Sequence, residues 1–158
     1  MPMKKRILVL SVSAGAGHMR AAEAIRAYTD RSGVAEATHL DVMNFVSKTF
    51  RKLYTDFYIT LVNRAPEIWG YLYKLADEAP QSGPMQKLRR GIERLNTRPL
   101  LKEIAAFKPD AIICTHFLPA EILARMARAG RLDFPVWVQV TDFDLHRMWV
   151  HQGIAGYF

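Results

Sequence analysis

The chain has 158 residues, half of them hydrophobic, and carries a formal net charge of +7. These values are typical of one domain with a buried core, and no apolar stretch reaches the roughly 18 residues that a membrane-spanning helix needs. A single cysteine, Cys114, excludes an internal disulfide and fits a reducing compartment. The positive charge favours an anionic partner: nucleic acid, a nucleotide or an anionic lipid surface.

The first apolar run, Arg6–Val12, leads directly into the Gly/Ala-rich turn "SAGAG". A basic head and an apolar run before small residues also occur in signal peptides, but this run is shorter than their hydrophobic region and a helical pattern follows at once. We therefore predict a buried strand. Three further runs of the same kind predict strands at Thr38–Val42, Ala111–Cys114 and Val136–Val140.

Helical patterns lie between these strands, at Met19–Ala27 and at Pro119–Arg128, with Gly130 just past the end of the second. Strands that alternate with helices predict an α/β fold, a Rossmann-like parallel sheet flanked by helices. The alternation stops at 45–107, a segment too long for one crossover helix and divided by four prolines. We predict a helical insertion there.

This insertion is rich in aromatic residues in its first half and in basic residues in its second half. One interpretation is an aromatic core face followed by a solvated basic helix face. The other is an interfacial surface, on which aromatic rings enter the headgroup layer and Lys and Arg meet anionic lipid. No common nucleic-acid-binding signature occurs, so no nucleic-acid partner is predicted. The residues predicted to contact the membrane are Phe57, Trp69, Lys87, Arg89, Arg90 and Arg94.

The turn after the first strand ends in His18, where the first helical pattern begins. Gly15 and Gly17 would let a ligand approach the backbone, but Arg20 stands where a dinucleotide fingerprint needs its third glycine. Nearby helix N–H dipoles disfavour a protonated imidazole, which suits a neutral base that takes a proton from a hydroxyl. The alternative is a histidine that caps the helix or packs. We expect a base at this position to face a cleft, with little packing.

Two stretches, "ILVLSVSAGAGHMRAAEAI" and "VQVTDFDLHRMWVHQGIAGYF", resemble the monogalactosyldiacylglycerol synthases and the related processive diacylglycerol glucosyltransferases. The resemblance implies the N-terminal half of a GT-B glycosyltransferase. On this basis residues 1–158 form an acceptor- and membrane-binding domain, and the domain that binds the UDP-sugar is absent. Ala14 and Ala16 depart from the glycine-richer turn of the family, which leaves the path of the loop open.

The resemblance also implies roles for individual residues. His18 would be the catalytic base, Gly15 and Gly17 would contact substrate, and Asp142, His146 and Trp149 would line the acceptor side of the cleft. The alternative is that Asp142 caps a turn and Trp149 packs. The "DFD" motif imitates the metal-binding motif of a different glycosyltransferase fold, but the "GAGH" turn indicates the metal-independent one. No metal or other cofactor is therefore predicted.

The function implied is transfer of a hexose from a UDP-sugar to diacylglycerol or a glycolipid, by an enzyme at the cytoplasmic face of the cell membrane. We expect the isolated chain to be inactive, because the donor-binding domain is missing. Two alternatives are a non-catalytic membrane- or nucleotide-binding module and an N-acetylglucosaminyltransferase of the peptidoglycan-precursor type.

Overall fold

The structure, a computed structural model, describes residues 4–52, 54–56, 97–143 and 148–158. Its centre is a five-stranded sheet in the order β2-β1-β3-β4-β5, in which every neighbouring pair is parallel. The strands are β1 (Lys5–Ser11), β2 (Ala35–Asp41), β3 (Ala111–Cys114), β4 (Val136–Val138) and β5 (Gly156–Tyr157). With helices between the strands, this sheet confirms the predicted Rossmann-like α/β fold.

The sequence pattern of each strand follows its place in the sheet. The central strand β1 is buried from Leu8 to Ser11, and a strand covered on both faces is encoded as a continuous apolar run. β2, at the end of the described sheet, alternates small and polar residues and begins three residues before the predicted Thr38. β4 ends at Val138 rather than at the predicted Val140. β3 has the predicted bounds.

β5 was not predicted, because two residues carry no periodic pattern. A side chain at Gly156 would collide with the Trp137 ring, so glycine lets this strand pass beside the indole. The same indole stacks on Phe158, with ring centroids 5.5 Å apart. The pairing of β5 with β4 therefore depends on a tertiary contact.

The first helix, α1 (Ala16–Ser32), and the last, α4 (Phe117–Arg128), both begin earlier than their patterns predict. α1 ends at Ser32, and Gly33, in the left-handed region with a φ of 69°, caps it. Gly130, also left-handed with a φ of 63°, follows α4 as predicted.

Helical residues also occur at 48–52 and 54–56 (α2) and at 97–107 (α3), the two ends of the predicted insertion. Residues 57–96 lie outside the described residues. All six residues predicted to contact the membrane fall in that range. Within the described ranges, no helix has the length and apolarity needed to cross a bilayer.

The two crossover helices are buried to different extents. Seven of the twelve residues of α4 are buried against the sheet, but only two of the seventeen in α1, His18 and Ala22, are buried. The core therefore takes more residues from α4 than from α1. It also contains Leu100 and Ile104 of α3, and Trp149 is one of its largest fully buried side chains. Cys114 is in this core, and burial raises the pKa of its thiol, which disfavours the reactive thiolate.

Candidate functional site

The carboxyl ends of β1, β3 and β4 lie side by side, and the segment that follows each strand contributes one polar residue. These are His18 at the start of α1, Thr115 directly after β3 and Thr141 three residues after β4. Ligands of open α/β sheets bind outside this edge. The three residues therefore mark the candidate site.

The Asp41 carboxylate anchors the loop that leads to His18. The Ser13 N–H donates to Asp41 Oδ1 at 3.1 Å, and the same oxygen accepts the Met43 N–H at 3.0 Å. Gly15 then turns the chain with a φ of 138° and a ψ of 151°, a conformation that is essentially restricted to glycine. These bonds define the loop path that the sequence left open.

The two glycines of the turn have different surroundings. A Cβ at Gly15 would lie 3.8 Å from Cδ2 of His18, whereas a Cβ at Gly17 would have no atom within 4 Å. Gly15 is therefore needed for its backbone conformation, and Gly17 leaves open space beside the exposed first turn of α1. Space next to free helix N–H groups suits the approach of a polar substrate.

His18 is buried, with 6% of its surface exposed, which contradicts the expected sparse packing. Its Nδ1 lies 2.6 Å from Thr141 Oγ1 and 3.1 Å from the Thr115 carbonyl oxygen. Its ring meets the His116 ring edge-on, with centroids 4.5 Å apart. The side chain is thus held by contacts from two other segments, although its sequence context predicts only a helix start.

The surroundings of His18 favour its neutral form. Burial lowers the pKa of His18 below its ordinary value of 6.5, and the nearby Asp142 carboxylate offsets this in part. The predicted neutral imidazole is therefore what the structure supports, but the principal cause is desolvation rather than the helix dipole. A neutral histidine at cellular pH can accept a proton.

Asp142 and Trp149, both predicted to line the acceptor side, are brought together. The Trp149 Nε1–H donates to Asp142 Oδ2 at 2.8 Å. Trp149 is fully buried and packs edge-to-face on Phe117, with centroids 5.6 Å apart. The structure thus gives Trp149 a packing role, and contact of either residue with an acceptor stays a prediction. His146 lies outside the described residues.

Sequence reasoning missed Thr115 and Thr141 as parts of the site. Thr115 Oγ1 donates to the His18 carbonyl at 2.9 Å, so one residue holds both the backbone and the ring of His18. Thr141 Oγ1 donates to the Thr115 carbonyl at 3.1 Å. The signal that was available is their position, since each follows a predicted strand at the edge where ligands bind.

Two other histidines, His39 and His116, are hydrogen-bonded within the fold. His39 bonds through one ring nitrogen to Ser11 and through the other to Glu23, and His116 caps α4 by accepting the Leu118 N–H at 3.0 Å. No group of three His, Cys, Asp or Glu side chains within the described ranges is arranged to hold a metal ion.

The sequence model of the monogalactosyldiacylglycerol (MGDG) synthase family matches residues 18–158. An uncharacterized glycosyltransferase of Bacillus subtilis, YkoN, is 26% identical over 99% of this chain and 41% of its own length. The processive diacylglycerol beta-glucosyltransferase of Bacillus thuringiensis is 22% identical over 97% of this chain and 38% of its own length. No solved structure matches the chain significantly.

The chain therefore spans about two fifths of the length of the curated relatives that it matches. Its parallel sheet, the His18 turn at the carboxyl edge and the family match agree on one assignment. The chain belongs to the MGDG synthase family and has the Rossmann-like fold of the N-terminal half of a GT-B glycosyltransferase.

Proposed function

We propose that this chain is the acceptor-binding half of a glycosyltransferase that moves a hexose from a UDP-sugar to diacylglycerol or a glycolipid. The observation that carries the proposal is the placement of His18, which is buried at the carboxyl edge of the sheet and bonded through Nδ1 to Thr141 and to the Thr115 carbonyl. A relative named as a diacylglycerol glucosyltransferase supports the class of acceptor.

In this reaction His18 takes the proton from the acceptor hydroxyl. The hydroxyl oxygen forms a bond to the anomeric carbon of the sugar, the bond from that carbon to the phosphate oxygen breaks, and UDP leaves with the electron pair. Attack from the side opposite the leaving group inverts the anomeric carbon. A neutral base next to the hydroxyl lowers the barrier because no charged alkoxide has to form first.

The groups around His18 favour this proton transfer. The Asp142 carboxylate raises the pKa of His18 against the effect of burial, so it stabilises the imidazolium that forms as the proton arrives. Asp142 is itself oriented by the Trp149 N–H. The open space beside Gly17 gives the acceptor headgroup access to the helix N–H groups.

Mutation of His18 tests its role as base. In an enzyme that contains both halves, His18→Ala should reduce transfer from UDP-glucose or UDP-galactose to diacylglycerol by roughly 10²–10⁴-fold. Because His18 is buried, the assay is paired with thermal unfolding and turnover is expressed per folded molecule. His39→Gln, which changes a histidine bound to Ser11 and Glu23, is the matched control and should keep its activity. Activity of His18→Ala within threefold of the original would remove His18 from the mechanism.

The donor site should belong to a second domain, as the greater length of the relatives suggests. The 158-residue chain alone should then show no transfer to diacylglycerol with either UDP-sugar. Addition of the C-terminal half on the same chain should restore it. Robust turnover by the 158-residue chain would contradict the two-domain proposal.

We also propose that the protein acts as a peripheral enzyme on the anionic inner face of the cell membrane. The net charge of +7 and the basic run Lys87, Arg89, Arg90 and Arg94 support this. Each basic residue close to an anionic surface contributes about 1 kcal/mol, and salt screens the attraction.

Vesicle sedimentation tests the membrane proposal. Binding should be strong to vesicles with phosphatidylglycerol, weak to phosphatidylcholine vesicles and reduced by salt. Replacing the four basic residues of the run with Gln should weaken binding by roughly tenfold or more. Four exposed basic residues elsewhere provide the control with the same loss of charge: Arg31, Lys108, Arg128 and Arg131. Equal loss in both variants, or binding indifferent to salt and lipid charge, would refute a specific membrane-binding segment.

A further inference from the structure

The Nδ1 atom of His18 faces two oxygen atoms from distant segments. Thr141 Oγ1 lies 2.6 Å away and the Thr115 carbonyl oxygen lies 3.1 Å away. The two oxygens also share a hydrogen bond, in which Thr141 Oγ1 donates to the Thr115 carbonyl at 3.1 Å. The imidazole nitrogen, the hydroxyl and the carbonyl therefore form a closed set of three groups.

The proton positions in this set follow from what each group can donate. The carbonyl only accepts, and the single Thr141 hydroxyl proton is directed to it, so the hydroxyl oxygen accepts from His18. If Nδ1 were the acceptor instead, the Thr141 hydroxyl proton would have to point to it, and the hydrogen bond from Thr141 to the Thr115 carbonyl would be lost. The Nδ1 lone pair would then also face the carbonyl oxygen, which repels it. Nδ1 therefore carries the proton of the neutral ring, and Nε2 carries the lone pair.

Nε2 points away from these oxygens. Within the described ranges no hydrogen bond to Nε2 is found. Cδ2, the ring carbon bonded to Nε2, is the nearest atom to a Cβ built at Gly15, at 3.8 Å. The basic nitrogen is therefore bonded to the ring carbon that faces Gly15, on the side of the proposed acceptor site.

We propose that Thr141 is a positioning residue that holds His18 in the Nδ1–H tautomer and presents Nε2 to the acceptor hydroxyl. The catalytic part of this inference rests on the proposed role of His18 as base. Thr115 contributes through its backbone carbonyl, which no side-chain change removes. The Thr141 hydroxyl is thus the part of the set that mutation can test.

Nitrogen NMR of the ¹⁵N-labelled protein above pH 7.5 reads the tautomer directly, and the His18→Gln spectrum assigns the His18 signals. The original protein should show a pyrrole-like Nδ1 and a pyridine-like Nε2. In Thr141→Val, which keeps the side-chain shape, the two signals should move part of the way toward averaged values, because only the longer hydrogen bond to the Thr115 carbonyl remains. Thr141→Ser should retain the original shifts. Thr38→Val, at an exposed position on β2, controls for the loss of a threonine hydroxyl.

Kinetics of the two-domain enzyme complete the test. Thr141→Val should lower kcat by roughly 10–100-fold with KM within about twofold, because a misoriented base affects the chemical step more than binding. Thr141→Ser should recover kcat to within about threefold. Thr38→Val should match the original enzyme.

Three results would overturn the inference: a pyridine-like Nδ1 in the original protein, an unchanged tautomer in Thr141→Val, or an unchanged kcat in that variant when His18→Ala has lost its activity. The first needs no variant to fold. Failure of the proposed function looks different, because His18→Ala would then keep full activity while Thr141→Val still changed the tautomer.

Discussion

Two histidines, His18 and His39, link helix α1 to the sheet, and they differ in how many of their ring nitrogens are hydrogen-bonded. Both nitrogens of His39 are bonded inside the protein: Nε2 shares a hydrogen bond with Ser11 Oγ, and Nδ1–H donates to Glu23 Oε1 at 2.7 Å. His18 is bonded at Nδ1, and the partners are neutral oxygens of Thr141 and Thr115.

The difference separates a structural histidine from one that is available for chemistry. His39 connects β1, β2 and α1, so its bonds stabilise the layer that supports the glycine turn. His18 is buried without a bonded carboxylate, so its neutral form is favoured and its second nitrogen can receive a proton. Sequence context alone does not distinguish these two roles.

The largest expected effect is on the pH dependence of catalysis. His18 must be neutral to act as a base, and its pKa is lowered below 6.5 by burial. kcat/KM should therefore stay constant as pH falls past 6.5 and decrease about tenfold per pH unit only below the lowered pKa. His39→Gln should leave this acid limb in place. Two results would contradict His18 as the base and His39 as the structural histidine. One is a midpoint of the acid limb of kcat/KM above pH 6.5, and the other is the loss of that limb in His39→Gln.

The next effect concerns stability. His39→Ala removes two hydrogen bonds and leaves the buried Ser11 hydroxyl without its imidazole partner, so the free energy of unfolding should fall by about 2–3 kcal/mol. Urea unfolding measures it, and turnover per folded molecule should be retained. Unchanged stability would contradict a structural role for His39.

A smaller effect should separate the two glycines of the turn. Gly15→Ala places a side chain at a φ of 138° and should destabilise the protein by about 1–2 kcal/mol. Gly17→Ala, in the first turn of α1 with no atom near the new Cβ, should stabilise it by about 0.5 kcal/mol.

Turnover adds a second measurement on the same pair. Gly17→Ala should lower transfer despite its higher stability, because the methyl group occupies space that we assign to the acceptor. If both stability and transfer rise, Gly17 does not contact substrate.

The smallest effect is at Glu23, whose side chain is half exposed. Glu23→Gln should cost less than about 1 kcal/mol, since exposed ion pairs contribute little. The hydrogen bond from His39, with a further contribution from Arg26, lowers the pKa of Glu23 below 4.5. Its contribution to stability is therefore present above pH 4.5 and is lost as pH falls through the lowered pKa. Chemical denaturation at pH 7 and pH 3 should show a smaller difference between variant and original at the lower pH.

Several elements were predictable because their causes are local. β3 is a buried run bounded by turn residues, and its predicted bounds are confirmed. α4 ends where predicted, at Arg128 before a left-handed Gly130. β2 was predicted too short, because its polar alternation at the end of the sheet hides its first residues.

The contacts of His18 were not predictable, because its partners are distant in sequence. Thr115 lies 97 residues from His18 along the chain, and Thr141 lies 123 residues away. A sequence window as long as a few helical turns cannot contain both residues of such a contact. Trp149 illustrates the same limit, since its burial depends on Phe117 of α4.

The sequence by itself determined the alternation of strands and helices, the glycine turn and the histidine that follows it. These depend on apolar periodicity and backbone preference, which act within a few residues. Only the tertiary structure decided that His18 is buried, which lowers its pKa, and bonded at Nδ1, whereas His39 is bonded at both nitrogens. Desolvation and hydrogen bonding depend on which strand ends the sheet brings together. Parallel pairing places side by side the carboxyl ends of strands that are far apart in sequence.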